Sequence, residues 1–305
     1  MGLITTGSMT KALWPGVNAW FGESYSEWPV EYTDLFTESK SSRAFEEEVG
    51  ISGFGLAVEK AEGTGVSYDE ARQSYIQRYV NRTYMLGFMI TQEAIEDNQY
   101  NLAVLGKRDA KALAFSMRQT KEILAANVYN RAFSSTYTFA DAKELCATDH
   151  PLFAGGTFSN ELTTAADLSE ASLEQAAIDI GGFVNDRGLK ISILPKTLII
   201  PKELLFEATR ILKSELQSGG ANNDINAIRS AGLFPGGLRV NHYLTDTDAW
   251  FIRTNAPEGM KYFNRVETTF GMDQDFDTTN AKFKARFRCS FGATDPRGIY
   301  GSPGA

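Results

Sequence analysis

Cysteine and histidine are scarce in this chain, which has two of each among its 305 residues. Cys146 and Cys289 lie far apart in the sequence, a pattern that argues against a disulfide framework and favours a reduced, cytosolic history. Together with His150 and His242 they match no common zinc spacing. Two histidines are also too few for most acid–base schemes, so we expect no metal site and no cofactor.

Positive charge is in deficit as well, because 30 Lys and Arg residues face 38 Asp and Glu residues and leave a formal net charge of −8. Proteins built mainly to grip nucleic acid need a cationic excess, so any contact with DNA must be local. No apolar run reaches the roughly 18 residues that a membrane-spanning helix needs, and no signal peptide opens the chain. We expect a soluble protein with no membrane partner, made in the cytoplasm.

Catalytic motifs are missing too. Gly50, Gly53 and Gly55 resemble a phosphate loop only superficially, because they do not join a strand to a helix and lack the Gly-Lys-Ser/Thr ending. A soluble hydrolase with a site in the Cys146–His150 region remains an alternative to a protein that is not an enzyme.

The most regular pattern present is a long amphipathic helix over residues 101–133, which predicts a spine of roughly 50 Å. One face is apolar and carries Leu102, Leu105, Ala112, Leu113, Met117, Ile123, Leu124 and Val128. The opposite, solvated face carries Lys107, Lys111, Arg118, Lys121 and Glu122. Phe115 and Tyr129 fall among these charges, so we expect this face to contact a second subunit.

Residues 1–37 carry large aromatic side chains with no sustained period and are predicted to be an extended arm. The anchors are Trp14, Trp20, Phe21, Trp28 and Phe36. Because each such ring buries about 150 Å² or more, they must pack on a surface. That surface belongs either to the arm's own domain or to a neighbouring chain, and the sequence leaves both open.

An antiparallel ribbon is predicted over residues 38–92. Glycines alternate with apolar residues such as Phe54 in Ser39–Gly65, and apolar residues alternate again in Tyr75–Thr91. An isolated two-stranded ribbon is only marginally stable, so it needs a surface to lie on. Phe54 is a further candidate for a subunit interface.

A compact α+β unit follows the long helix. Its predicted parts are a helix Leu173–Asp186 opened by a capping box of Ser172 and Gln175, strands Leu189–Ile193 and Thr197–Ile200, a helix Lys202–Leu216 and an exposed loop Ala221–Gly237.

The last part of the chain is rich in strands, predicted over Trp250–Arg253, Lys261–Phe270 and Asn280–Gly292. In the last strand apolar residues alternate strictly with a basic row, Lys282, Lys284, Arg286 and Arg288. The row either lies in solvent or pairs with acidic residues such as Glu267, or it contacts a polyanion or an acidic patch on another subunit.

Several motifs resemble the major capsid proteins of tailed phages, and most of all the Mu-like prophage major head subunit family. The similar stretches are Thr120–Phe133, Leu145–Asn160, Asp167–Ser169, Leu194–Pro201 and Asp295–Ser302. The resemblance covers nearly the whole chain and implies the HK-ninety-seven-type α+β fold.

By this resemblance the chain divides into an N-terminal arm (1–37), an extended loop (38–92), a peripheral domain (93–165 and 244–305) with its spine helix (101–133), and an axial domain (166–243). Arm and loop are expected to lie over neighbouring subunits. All residues ahead of the spine helix are used by arm and loop, so we expect scaffolding to be a separate protein. Lys60 lies in the loop, but no crosslinking acceptor is identifiable.

The expected function is a structural major capsid protein that self-assembles through hexamers and pentamers into an icosahedral phage head. The expected partners are a scaffolding protein, a portal, a decoration protein, and double-stranded DNA held without sequence specificity. The expected location is the virion, after assembly in the host cytoplasm. A shell that holds a cargo enzyme, as in encapsulins, is the alternative within the same fold.

Overall fold

A computed structural model describes residues 10–91, 93, 97, 102–217, 224–275, 277, 278 and 280–305, with side-chain environments left out for 10–17, 102–105 and 274. The helices are α1 (Thr10–Ser26), α2 (Tyr32–Leu35), α3 (Leu102–Asn130), α4 (Glu170–Gly181), α5 (Leu205–Lys213) and α6 (Ala227–Ala231). Two 3-10 turns lie at Lys202–Leu204 and Pro296–Gly298. No described helix is both long and apolar enough to cross a bilayer.

The strands are β1 (Thr37–Lys40), β2 (Phe45–Ser52), β3 (Arg72–Val80), β4 (Arg82–Ile90), β5 (His150–Pro151), β6 (Thr157–Phe158), β7 (Pro195–Ile200), β8 (Leu238–Val240), β9 (Trp250–Thr254), β10 (Met260–Gln274), β11 (Ala281–Ala293) and β12 (Ile299–Ser302). They form two four-stranded sheets, in the orders β1-β10-β11-β4 and β12-β9-β7-β8, and two two-stranded pairs, β2-β3 and β5-β6.

The predicted spine is present as α3, whose 29 residues span about 44 Å. It packs on the inner face of the β1-β10-β11-β4 sheet, where Leu113, Met117 and Tyr129 share one core with Ala285 and Phe287. The alternation predicted for the last long strand is present in β11, since its apolar side chains are buried while Lys282, Lys284 and Arg286 are exposed. One face of the sheet therefore forms the core and the other carries the basic row.

A second core lies between the β12-β9-β7-β8 sheet and helices α4, α5 and α6. Its largest buried side chains include Trp250 and Tyr300. Helix α4 begins one turn earlier than predicted, because the capping box is formed by Ser169 with Ser172, not by Ser172 with Gln175. The predicted strand Leu189–Ile193 is absent, since this described stretch makes only a single bridge, between Val184 and Lys190.

The prediction of an exposed loop over Ala221–Gly237 was wrong in its second half, which contains α6. The Asn226 side chain accepts a hydrogen bond from the backbone N–H of Arg229 at 3.1 Å, and Gly232 ends the helix in the left-handed conformation at φ 62°. Ile228 is buried between these two caps. Asn226 and Gly232 are thus the two caps of a short helix inside the stretch predicted to be a loop.

The ribbon differs from its prediction in its second strand, which is shorter than expected. Residues Phe45–Ser52 pair antiparallel with Arg72–Val80, whereas Arg82–Ile90 leaves the ribbon and pairs with β11. The division falls at Asn81, a buried side chain whose Nδ2 donates to Ser41 Oγ at 2.7 Å and to the Arg43 carbonyl at 3.1 Å. The predicted single long strand is therefore two strands in different sheets.

Candidate assembly surfaces

The arm is held on the spine helix by a group of side chains that we call the arm seat, Arg118, Lys121 and Glu122 of α3 with Tyr129 and Arg253. The prediction that the three α3 charges are solvated was wrong, because their exposures are only 7%, 4% and 2%. The prediction of an arm without regular structure was also wrong over α1, which packs along α3.

Glu122 caps the short helix α2. Its carboxylate accepts hydrogen bonds from the backbone N–H groups of Glu31 at 3.1 Å and Tyr32 at 2.9 Å. Burial raises the pKa of Glu122, and these two hydrogen bonds and the nearby Arg118 only partly offset that effect. A buried carboxylate next to unpaired N–H groups satisfies both partners at once.

The two neighbouring cations also contact the arm. Arg118 donates to the Tyr25 carbonyl and its guanidinium lies 5.8 Å from the centre of the Tyr25 ring. The ammonium of Lys121 lies over three rings, 5.3 Å from Tyr32, 5.7 Å from Tyr262 and 5.4 Å from Phe287. Cation–π contacts of this kind stabilise a charge that water no longer reaches.

Two further hydrogen bonds hold the end of the arm. Tyr129 Oη donates to the Leu35 carbonyl at 2.9 Å, and Arg253 Nη1 donates to the Asp34 carbonyl at 3.0 Å. The Tyr129 ring lies edge-on to Phe36, at a centroid distance of 5.7 Å. Leu35 and Phe36 are therefore part of the chain's own core, with Tyr25 and Tyr32 packed against it, whereas Trp28 between them is exposed. For these core residues, the surface that covers the arm belongs to the same chain.

The aromatic candidates for a subunit interface fall into three groups. Phe21, Phe36 and Tyr129 are buried within the chain, and Trp20 is half-buried with the Lys107 ammonium 5.7 Å from its ring. Trp28, Phe54 and Phe115 are exposed. The side chain of Trp14 lies outside the described residues. Among the candidates whose side chains are described, Trp28, Phe54 and Phe115 have the most surface available to a second copy.

A group of exposed apolar side chains lies on the ribbon tip, residues 53–71, which form no helix or strand. Leu56 is 79% exposed and Tyr68 is 93% exposed, and Phe54, Val58 and Val66 are exposed as well. Apolar side chains this open to water are unfavourable in an isolated subunit. The ribbon tip is therefore a candidate interaction surface.

The ribbon is fixed at both ends. At its base the Lys261 ammonium lies between the carboxylates of Glu48 and Glu258, and although burial lowers the pKa of Lys261, the hydrogen bonds to these carboxylates outweigh it and raise that pKa. At the tip, Asp69 accepts the Gly55 N–H at 2.7 Å and lies 3.2 Å from Arg187 Nη2. The N–H of Gly55, that of Glu70, and Arg187 together lower the pKa of Asp69.

The basic row is only partly neutralised. Lys282 pairs with Asp275, and this hydrogen bond is the main cause that lowers the pKa of Asp275. Arg288 is half-buried and donates to the Asn81 carbonyl at 3.3 Å. Within the described part of the chain, no ion pair joins Glu267 to the row or involves Lys284 or Arg286, which are exposed. The row therefore offers at least two exposed cations to an anionic partner.

The region considered for a hydrolase has the contacts of a structural core. Cys146 is fully buried and burial raises the pKa of its thiol well above the usual value, which suppresses the reactive thiolate. His150 Nδ1 lies 2.6 Å from Asp141 Oδ2, and its Nε2 lies 3.0 Å from Asn160 Oδ1. Among the described residues, no three His, Cys, Asp or Glu side chains are arranged to hold a metal ion.

Asn160 is a structural residue that sequence reasoning missed. Its Nδ2 donates to the carbonyls of Leu145 at 2.8 Å and Pro296 at 2.9 Å, and its Oδ1 accepts the Ala147 N–H at 2.8 Å. It joins the segment after the spine to the end of the chain. The arm seat was missed for another reason, because helical periodicity assigns charges to the solvent side by default.

A family model described as phage capsid protein matches residues 77–302, most of the chain. No curated protein sequence matches the chain.

Solved structures share its fold. The virus-like particle from Pyrococcus furiosus has a TM-score of 0.54 at 9% identity, over 94% of this chain and 98% of that one. The capsid of cyanophage P-SCSP1u has a TM-score of 0.54 at 11% identity, over 90% and 87%. The structure from Mycobacterium phage Che8 has a TM-score of 0.51 at 15% identity, over 90% and 92%. The predicted HK-ninety-seven-type fold is confirmed, while the relationship to the Mu-like family stays a prediction.

Proposed function

Because the chain belongs to the phage capsid protein family, we propose that it assembles through hexamers and pentamers into an icosahedral phage head that encloses double-stranded DNA. The family makes it a structural protein of the virion capsid and not an enzyme. Assembly into a capsid lattice accompanies that role. The proposal adds the icosahedral form, the DNA cargo and assembly in the host cytoplasm.

The ribbon tip is the observation that carries this proposal. It presents a set of uncovered apolar side chains on a segment that is tied down at both ends. A fixed apolar surface has little freedom to collapse onto its own subunit, so a neighbouring copy is what covers it. Obligate interfaces commonly bury more than about 2,000 Å², and many such contacts repeated through a shell add up to a stable particle.

We assign the peripheral and axial domains of the proposed capsid subunit to the two hydrophobic cores. The core around α3 and the β1-β10-β11-β4 sheet serves as the peripheral domain, and the core around the β12-β9-β7-β8 sheet, over 166–243 with added strands from the end of the chain, serves as the axial domain. The basic row lies on the outer face of the peripheral sheet. We assign it to weak, sequence-independent contact with packaged DNA or with an acidic patch of a neighbour.

Electron microscopy of the purified chain tests the proposal. We expect hollow polyhedral particles when a separate scaffolding protein is co-expressed, and DNA inside particles made during infection, detected as nuclease-protected nucleic acid. A chain that stays monomeric under both conditions contradicts the proposal. Portal and decoration proteins are further proposed partners, to be identified by their presence in purified particles.

A compartment that holds a protein cargo is the second candidate. The fold shared with the Pyrococcus furiosus virus-like particle supports it. The contents of the particle decide between the two, because protected DNA indicates a head and a single co-purifying enzyme indicates a compartment.

A further inference from the structure

Asp141 and His150 form a buried pair of titratable groups that the proposed function does not use. Their side chains are only 6% and 1% exposed, and Asp141 Oδ2 lies 2.6 Å from His150 Nδ1. On the other side of the ring, His150 Nε2 lies 3.0 Å from Asn160 Oδ1. Each ring nitrogen has one partner, so the directions of these two hydrogen bonds determine how many protons the ring carries.

The orientation of the Asn160 amide fixes the proton at Nε2. Its Nδ2 donates to the carbonyls of Leu145 at 2.8 Å and Pro296 at 2.9 Å, and its Oδ1 accepts the N–H of Ala147 at 2.8 Å. Exchanging the amide oxygen and nitrogen would place an oxygen against two carbonyls and an NH₂ group against a backbone N–H, so that exchange is excluded. Oδ1 is therefore an acceptor, and His150 Nε2 donates to it.

A second proton is needed between His150 and Asp141. With Nε2 protonated, a neutral ring has a bare lone pair at Nδ1, and an ionised Asp141 presents another lone pair to it at 2.6 Å. Two acceptors form no hydrogen bond with each other. The distance therefore requires a proton between the two atoms.

The surrounding charges favour the form in which this proton lies on the ring. The titratable and charged side chains that line the same cavity or interact electrostatically with His150 are Tyr75, Glu144, Asp149, Glu161, Asp186 and Arg297. Arg297 pairs with Asp186 at 2.8 Å, and Lys143 pairs with Asp149. Glu144 and Glu161 leave the surroundings negative, and negative surroundings stabilise a cationic imidazolium.

The pair connects parts of the chain that are far apart in sequence. Asp141 lies in a turn after the spine, beside Ala142, whose φ of 63° is seldom adopted by residues other than glycine. His150 lies in β5 and reaches Pro296, near the end of the chain, through Asn160. Loss of the proton between Asp141 and His150 therefore weakens a connection between the segment after the spine and the end of the chain.

We propose that Asp141 and His150 form a proton-dependent clamp, closed while His150 is an imidazolium and weakened when the Nδ1 proton leaves at alkaline pH. The proton passes to water or hydroxide, and the carboxylate of Asp141 then faces the lone pair of a neutral imidazole. Because the closed clamp holds a proton that the unfolded chain has released, the stability that it contributes is lost as the pH rises. The clamp acts within one subunit and does not depend on the proposed shell.

The variant Asp141→Asn separates the clamp from its proton. An asparagine N–H donates to the bare Nδ1 of a neutral imidazole, so the hydrogen bond no longer needs the second proton. Between pH 6 and pH 9, the unfolding equilibrium constant of the native chain should rise about ten-fold or more relative to that of the variant, measured by urea unfolding of unassembled subunits. An equal pH response in the two chains overturns the proposal.

Two controls accompany this comparison. Asp141→Ala offers Nδ1 no partner and should be less stable than Asp141→Asn at pH 9. His242→Gln removes the other histidine of the chain, and in that background the relative change between the native residue and Asp141→Asn should stay within two-fold. A relative change that disappears with His242 would assign the pH response to that histidine and overturn the proposal.

A second measurement uses the native chain and does not depend on how well a variant folds. Nitrogen NMR of subunits labelled at histidine, with the His150 signals assigned through His242→Gln, should show a proton on both ring nitrogens of His150 at pH 7.5. Raising the pH to 9 should remove the Nδ1 proton and leave the Nε2 proton in place. A bare Nδ1 at pH 7.5 in the folded subunit overturns the proposal and leaves the proposed function standing.

Discussion

The arm and the ribbon tip are alike in sequence, since both are rich in large apolar residues and glycine and both lack a long helical or strand period. In the structure they have opposite environments. Phe21, Leu35 and Phe36 of the arm are buried in the main core, whereas Phe54 and Leu56 of the ribbon tip are exposed.

The difference lies in the polar contacts of the two segments. Side chains of the spine helix reach the arm backbone at Tyr25, Glu31, Tyr32 and Leu35, and so satisfy the polar groups that would otherwise be buried without a partner. In the ribbon tip the main hydrogen bond is the one from the Gly55 N–H to Asp69, and no comparable set of side chains surrounds the apolar residues of the tip. Apolar content shows that a segment must be covered, while the hydrogen bonds show what covers it.

The largest effect on the free energy of unfolding is expected for Tyr129→Ala. The ring is 1% exposed and packs against Phe36 and Phe251, so its removal should cost about 3–5 kcal/mol. Tyr129→Phe keeps the ring, loses only the bond to Leu35 and should cost about 1 kcal/mol. Urea unfolding of unassembled subunits measures both, and equal losses in the two variants would show that the ring does not hold the arm.

Glu122→Ala should have the next largest effect, about 1–3 kcal/mol, because the N–H groups of Glu31 and Tyr32 lose their buried acceptor. Hydrogen exchange should accelerate at these two amides first. Glu174→Ala, an exposed glutamate on α4, is the control. Unchanged exchange at both amides would contradict the capping role of Glu122.

The pH dependence of the arm seat is a smaller effect. Burial raises the pKa of Glu122 above its usual 4.5. At pH values between 4.5 and this raised pKa, the folded chain therefore binds more protons than the unfolded chain. The stability gained from this group is therefore complete below about pH 4.5 and is lost as the pH rises through the higher, folded-state value. Glu122→Gln cannot titrate. As the pH rises through that interval, the native chain should lose stability relative to the Glu122→Gln variant. A stability difference that stays constant with pH would refute the prediction.

The smallest effect on subunit stability is expected for Leu56→Gln, within about 0.5 kcal/mol, because the side chain is 79% exposed. Particle yield should nevertheless fall several-fold. Glu174→Gln, an exposed position on α4 outside the ribbon, is the control and should change neither quantity. A large loss of subunit stability in Leu56→Gln would show that the ribbon tip is covered by its own chain, as the arm is.

Sequence patterns predicted some elements well. The spine, β11 with its basic row, and the strand Thr197–Ile200 within β7 are present where expected, because each has a period or an apolar run fixed by its own residues. The same reasoning missed α1, α6 and the separation of β4 from the ribbon. Helix α6 is too short to show a period, and the other two depend on contacts with residues more than forty positions away in sequence.

The candidate surfaces, too, could be predicted from the sequence only in part. The sequence identified aromatic side chains that need cover, but it could not tell that Phe21 and Phe36 are covered by the chain's own spine while Phe54 is not. It placed Arg118, Lys121 and Glu122 on the solvated side, because periodicity records position around a helix and not what lies against it.

By itself the sequence determined the spine, the alternating strand and a resemblance that led to the correct family, because these depend on local order and on short motifs. The tertiary structure alone decided that the arm belongs to its own subunit and that the ribbon tip stays uncovered. Those outcomes depend on which distant backbone groups find a buried hydrogen-bond partner, and that is a property of the folded chain as a whole.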